Sequence, residues 1–174
     1  PQQSGITDSI FNALPHVNLA WNKYFLWNGK VKGSLEDIMD FEVREFFSTD
    51  VSKLNAEPTY PDLFRKVFNA KTIKEEHIIK ALSQFMDTKV SMDSKVDKYL
   101  KKEWMLNDDE LRGLYIFNSE KGDCFHCHSL GLFTDGQFHN IGIDSVFTGV
   151  NLGRYNVTGE EGDIGKFKTP SLKN

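Results

Sequence analysis

Cys124-Phe125-His126-Cys127-His128 is the stretch on which the reading of this chain turns. It has the form C-x-x-C-H, the attachment site of a c-type haem. Two thiols separated by two residues can each add to one vinyl group of the porphyrin and form a thioether. The histidine that follows then lies below the ring and offers an imidazole nitrogen to the iron. The chain has 2 cysteines. Both are used in this motif, so neither is left for a structural disulfide.

Other chemistries accept the same residues. A thioredoxin-like redox dithiol wants a βαβ context, and the flanks here read helical. A zinc site could take Cys124, Cys127 and two of His126, His128 and His139. The usual spacing between zinc ligand pairs is longer. A chance match is the third alternative.

Composition narrows the class. A chain of 174 residues with 14 Phe can build one large domain or two small ones with real cores. A net charge of −4 and the lack of a basic block argue against nucleic acid as a partner. A mildly acidic surface is compatible with docking a basic electron-transfer protein. No apolar run is long enough for a membrane span. Pro1-Gln2-Gln3-Ser4 is polar and reads as mid-sequence, with no signal peptide. Covalent haem attachment normally takes place outside the cytoplasm. A haem reading therefore implies a periplasmic or otherwise extracytoplasmic protein whose leader was removed, or a piece of something longer.

Outward from the motif, Asn107-Asp108-Asp109-Glu110 caps a helix with Leu111, Leu114, Tyr115 and Phe117 on its inner face, and this helix runs into the haem motif. Lys-rich polar sequence at 95–103 reads as a linker between two halves. Before it, Thr72-Ile73-Lys74-Glu75 is a capping box for a helix carrying Ile78, Ile79, Leu82, Phe85, Met86 and Val90, with His77 solvated or facing the helix. Ser34 with Asp37 opens a helix that Phe46-Phe47 close, Thr49-Asp50 starts a short one through Leu54, and Pro61 marks the first turn of another. Residues 1–33 read as irregular, although Trp21, Tyr24, Phe25 and Trp27 must pack against a core or a flat cofactor. After His128 the chain is Gly-rich and irregular.

These segments, taken together, resemble the bacterial di-haem cytochrome c peroxidase family, which includes the MauG-type enzymes. Leu14 to Ala20 and Phe25 to Lys30 resemble its "P-S-L-x-N-V-A … F-F-W-D-G-R", and Ser34 to Asp37 its "S-L-E-E". Tyr60 to Phe68, Ala81 to Phe85 and Ser94 to Tyr99 resemble "Y-x-x-L-F-x-x-A-F", "A-L-A-Q-F" and "S-x-F-D-x-Y". Glu110 to Phe117 precedes the C-x-x-C-H as "E-x-x-G-x-x-L-F" does. Phe138 to Gly142 and Phe167 to Asn174 resemble "F-H-N-I-G" and "F-K-V-P-T-L-R-N".

The resemblance implies an all-α, cytochrome c-like fold made from parts of two haem domains. Residues 1–100 would be the C-terminal part of a first, peroxidatic domain without its own C-x-x-C-H. Residues 101–174 would be the N-terminal part of a second domain with the motif. One covalent haem c would be carried here and a second in the full-length protein, with the second haem's sixth ligand falling after Asn174.

Trp27 aligns with the tryptophan between the two haems. Asn18, with backbone oxygens near Lys168 and Pro170, aligns with an inter-domain Ca²⁺ site. The implied reaction is reduction of hydrogen peroxide with electrons from a small cytochrome or cupredoxin, and a homodimer is compatible with it. The family's Gln and catalytic Glu fall here at Ile38 and near Ser48. Glu42 or Glu45 could take over acid/base work. The departure leaves open a plain electron-transfer cytochrome, or a MauG-like oxidase. The fragment alone is expected to be inactive.

Overall fold

Several helices in this chain start where short polar side chains can hold free amides. Ser34 is such a start: its hydroxyl accepts the Asp37 N–H at 3.4 Å, and the Asp37 carboxylate accepts the Ser34 N–H at 2.6 Å. The computed structural model describes residues 11–173. The polar opening Pro1-Gln2-Gln3-Ser4, and Asn174 at the end of the second motif, lie outside them. The chain divides into two compact units, each described by itself.

One unit comprises Leu19–Phe25 and Val31–Lys89. Strand β1 (Tyr24–Phe25) pairs antiparallel with β2 (Val31–Lys32), with Phe25 opposite Val31. Helix α1 (Leu35–Phe41) follows the Ser34 cap and passes into a π-helical turn, Glu42–Phe46. Asp50 caps α2 (Val51–Ala56), and α3 (Thr59–Phe68) ends at Asn69 in the left-handed region. Helix α4 (Glu75–Asp87) packs against α1. Phe25, Ile38, Met39, Val43, Ile73, Ile78 and Ile79 form the buried core. Each such side chain contributes about 1.5–3 kcal/mol on leaving water.

The α4 start differs from the expected Thr72 box. The helix begins at Glu75, and His77 Nδ1 accepts the Lys74 N–H at 3.1 Å. The His77 ring also stacks on Phe68, with centroids 5.3 Å apart, so this half-buried histidine is a packing and capping group. The helix stops at Asp87 and leaves Val90 outside it and exposed. Trp21 is exposed as well, whereas Phe25 takes the core position.

The other unit comprises Leu26–Lys30, residues 90–173 and the segment 11–18. Ser94 and Asp97 form a second capping box, which starts α5 (Lys95–Leu100) where a linker was expected. The sequence around it is Lys-rich, but Asp97 is buried against Lys173, which anchors the turn in place. This unit takes up the chain again at Val90, after Lys89 ends the other one. Helix α6 (Asp108–Phe117) is capped by Asn107 with Glu110, as the sequence indicates.

Beyond the haem motif, β3 (Phe138–His139) pairs antiparallel with β4 (Phe167–Lys168), and a single turn, α7 (Tyr155–Thr158), lies between them. The architecture is mostly helical, with two ladders of two-residue strands. The Gly-rich stretches lack helical periodicity, and apart from the short β3/β4 ladder their backbone groups pair largely within tight turns.

Candidate functional site

The five motif residues follow α6 on a tight turn. The His128 N–H donates to the Cys124 carbonyl at 2.9 Å, closing one helical turn that brings the two cysteines and the histidine together. Both cysteines are free and half-buried. The Cys124 thiol donates to the Gly122 carbonyl at 3.1 Å.

His128 Nδ1 lies 2.9 Å from the Phe133 carbonyl oxygen. A carbonyl can only accept, so Nδ1 carries the hydrogen. In the neutral imidazole Nε2 then holds the lone pair that a metal needs. This is the orientation that outer hydrogen bonds give metal-binding histidines.

Three observations test whether haem fits. The donor set is two free thiols and an imidazole with its tautomer fixed. The Phe133 ring, beside that imidazole's acceptor, meets Phe117 edge-on at 5.7 Å. Among the described residues of this unit, Leu106 is the one buried apolar side chain, while Leu130, Leu172 and Tyr115 stay exposed. Such apolar surface suits a large flat ring, so the residues fit covalent haem c. Haem held by Cys124, Cys127 and His128 would supply one-electron chemistry.

The zinc alternative fares worse. Cys127 clusters with Asp135 and His139, and His126 with Glu120 and Asp123. Among the described residues, no such cluster contains both cysteines. His139 Nε2 donates to Asp135 at 2.6 Å. Burial works against the Asp135 charge, but hydrogen bonds from His139 and the Gln137 N–H hold its carboxyl below the usual range.

Trp27 belongs to the same unit as the motif. Its indole N–H donates to the Asn12 carbonyl at 2.8 Å, and its own carbonyl accepts the Lys168 N–H at 2.8 Å. Asn18 is buried with φ 59°. Its side-chain amide forms a double bridge to the Ser91 backbone, at 2.8 and 3.0 Å. Lys168 is buried, and burial pulls its ammonium below the usual lysine range despite the nearby Asp135. Pro170 is half-buried.

Glu42 and Glu45 lie in the other unit, on the π-helical turn. Glu42 is half-buried, and burial pushes its carboxyl above the usual range. Glu45 is exposed. Where the family's Gln and Glu were expected, Ile38 is buried and Ser48 is exposed at φ 46°.

Sequence reasoning missed the Phe133 acceptor of His128 and the buried Asp97–Lys173 pair. Phe133 acts through its backbone carbonyl, which leaves no side-chain signature. The Asp97–Lys173 pair joins positions 76 apart. The cap pattern Ser94-x-x-Asp97 was the one local signal for α5.

Comparisons with known proteins agree with the motif. A family model described as di-haem cytochrome c peroxidase matches residues 2–104. The chain is 33% identical to the methylamine utilization protein MauG of Methylorubrum extorquens, over 91% of this chain and 43% of that protein. It is 32% identical to cytochrome c551 peroxidase of Nitrosomonas europaea, over 98% of this chain and 56% of that protein. A crystal structure of a MauG-like protein associated with microbial copper homeostasis matches with a TM-score of 0.80 and 27% identity, covering 92% of this chain and 54% of that one. The chain thus spans about half the length of the curated relatives it matches. With a C-x-x-C-H whose histidine is already oriented for a metal, and relatives of this kind along nearly its whole length, the chain belongs to the di-haem cytochrome c peroxidase family.

Proposed function

We propose that this chain is the middle portion of an extracytoplasmic di-haem oxidoreductase that reduces hydrogen peroxide with electrons from a small cytochrome or cupredoxin. The observation that carries the proposal is the His128 Nδ1 contact to the Phe133 carbonyl within an intact C-x-x-C-H. In this reading residues 101–174 contribute the electron-entry haem and residues 1–100 belong to the peroxidatic domain. Trp27 lies on the electron path between the haems, its ring fixed by the Asn12 hydrogen bond. Glu42 is the better proton-handling candidate of the two glutamates, because burial favours its protonated form. Ca²⁺ at Asn18 with the Lys168 and Pro170 carbonyls belongs to the same proposal, and a fall in melting temperature on chelation tests it.

A pyridine haemochrome assay with intact mass tests the attachment. Chain produced with the c-type attachment machinery should gain the mass of one haem, and Cys124→Ala with Cys127→Ala should gain none. An unmodified mass for the native sequence overturns the proposal.

A second reading, MauG-like oxidation of a protein or plain electron transfer, is favoured by Ile38 and Ser48 at the expected Gln and Glu positions. Turnover of peroxide by the full-length protein with a reduced cytochrome separates the two. Rapid turnover supports the peroxidase reading, and reduction of the haems without turnover supports the second.

A further inference from the structure

Residues 169–173 grip the loop that follows the haem motif. Ser171 Oγ donates to the Leu132 carbonyl at 2.6 Å, and Thr134 Oγ1 donates to the Thr169 carbonyl at 2.7 Å. Between these two contacts, the Phe133 carbonyl receives two donors. One is His128 Nδ1–H at 2.9 Å, and the other is the Leu172 N–H at 3.3 Å. A carbonyl oxygen has two lone pairs, so both can be served at once.

What fixes Leu172 is its neighbour. Lys173 is buried, and its ammonium is clamped by both carboxylate oxygens of Asp97, itself buried on α5. Asp97 is held in turn by Ser94, whose N–H and hydroxyl donate to it at 2.9 and 2.6 Å. The same ammonium lies 5.5 Å from the centroid of the Phe133 ring. Side chain and carbonyl of Phe133 are thus held by adjacent residues of one segment. Burying two charges is an expensive way to anchor a surface segment, since apolar side chains of similar volume do it as well or better. Buried polar pairs of this kind can instead fix one arrangement among several.

We infer that Asp97 and Lys173 are positioning residues for the imidazole of His128, acting through the Phe133 carbonyl. The inference rests on the haem reading of Cys124, Cys127 and His128. The hydrogen bond from Nδ1 makes the imidazole a more basic ligand, and a more basic ligand favours ferric over ferrous iron. Release of the 169–173 segment loosens that bond and shifts the balance toward the ferrous form.

The test is a redox titration of the haem-loaded full-length protein, following this haem's band, with urea unfolding run beside it. The double variant Asp97→Leu with Lys173→Met removes both charges and leaves neither unpaired. It is expected to stay folded, its midpoint lowered only by the lost Ser94 cap, while the ferrous-to-ferric ratio at a fixed poise rises about tenfold, or 59 mV for a one-electron couple. Lys173→Arg keeps the charge and should stay within about twofold of the native ratio. Ser171→Ala leaves the ion pair whole and removes the segment's hydrogen bond to the Leu132 carbonyl; it should shift the ratio in the same direction as the double variant, so it serves if the latter fails to fold.

A folded double variant with an unchanged ratio overturns the inference and leaves the haem assignment intact, the pair then being structural only. A native protein without the pyridine haemochrome spectrum overturns both.

Discussion

Glu42 shows how a single carboxylate reports its surroundings. Burial raises its folded-state value above that of the unfolded chain. Such a group binds more protons in the folded state than in the unfolded state, so it weakens folding at neutral pH. The penalty shrinks as pH falls through the raised value and vanishes below the ordinary one. Glu42→Gln is therefore expected to raise the urea midpoint at pH 7, with the gain fading on acidification toward pH 4.5, the ordinary glutamate value. Equal gains at pH 7 and at the acid end would rule out burial as the cause. Asp97 has the opposite sign. Burial opposes its charge, but Lys173 and Ser94 outweigh that, and its carboxyl lies below the usual range. Its contribution is present above the ordinary aspartate value and is lost as pH falls through the depressed one. Lys173→Met alone leaves that carboxylate buried and unpaired, and should cost about 3–5 kcal/mol in denaturant unfolding.

At the level of elements, local signals were legible and long-range ones were not. Ser34 with Asp37 and Asn107 with Glu110 start helices where the sequence places them, because each cap is complete within four residues. The Thr72 reading failed because His77 could serve as the cap acceptor, a role that imidazole seldom takes. Helix α5 was read as a linker because its lysines resemble a solvated tether, and its anchor lies on a distant segment. The haem ligands were legible as a motif, whereas the acceptor that orients His128 depends on where the backbone folds back.

Asn107→Ala should cost about 1 kcal/mol, seen as a lower urea midpoint with an unchanged slope. Gly29 makes a sharper test. It is buried at φ 69°, and an added Cβ would collide with the Arg154 guanidinium and the Phe138 ring. Arg154 itself donates to the Asn28 and Gly29 carbonyls at 3.0 and 3.2 Å. Gly29→Ala combines left-handed strain with overpacking and should cost about 2–4 kcal/mol. A midpoint within error of the native one would show that Arg154 moves aside freely.

Across the whole molecule, apolar burial is uneven. Among the described residues, seven of the eight buried hydrophobic side chains belong to the unit holding α1 and α4, and Leu106 alone to the unit holding the motif. The second unit relies more on buried polar groups, among them Asn18, Asp97, Lys168 and Lys173. It should depend on covalent haem for much of its stability, as cofactor-bearing folds do. Hydrogen exchange on the Cys124→Ala/Cys127→Ala protein is expected to show fast exchange across α6 and the 132–134 loop, with α1 and α4 still protected. Equal protection in the haem-loaded and haem-less proteins would refute this dependence.

The hydrogen bond from Ser171 to Leu132 spans 39 positions, and the amide of Leu172 meets Phe133 across a similar length of chain. This separation sets an order of assembly. As the chain is synthesised, amino end first, both thiols of the motif emerge well before the segment that closes on Phe133. Until that segment arrives, the Phe133 carbonyl that accepts from His128 lacks the Leu172 N–H and the Ser171 contact beside it. The two cysteines are therefore available before the surroundings of His128 close, and the loop at 132–134 takes its final form only when the trailing segment arrives.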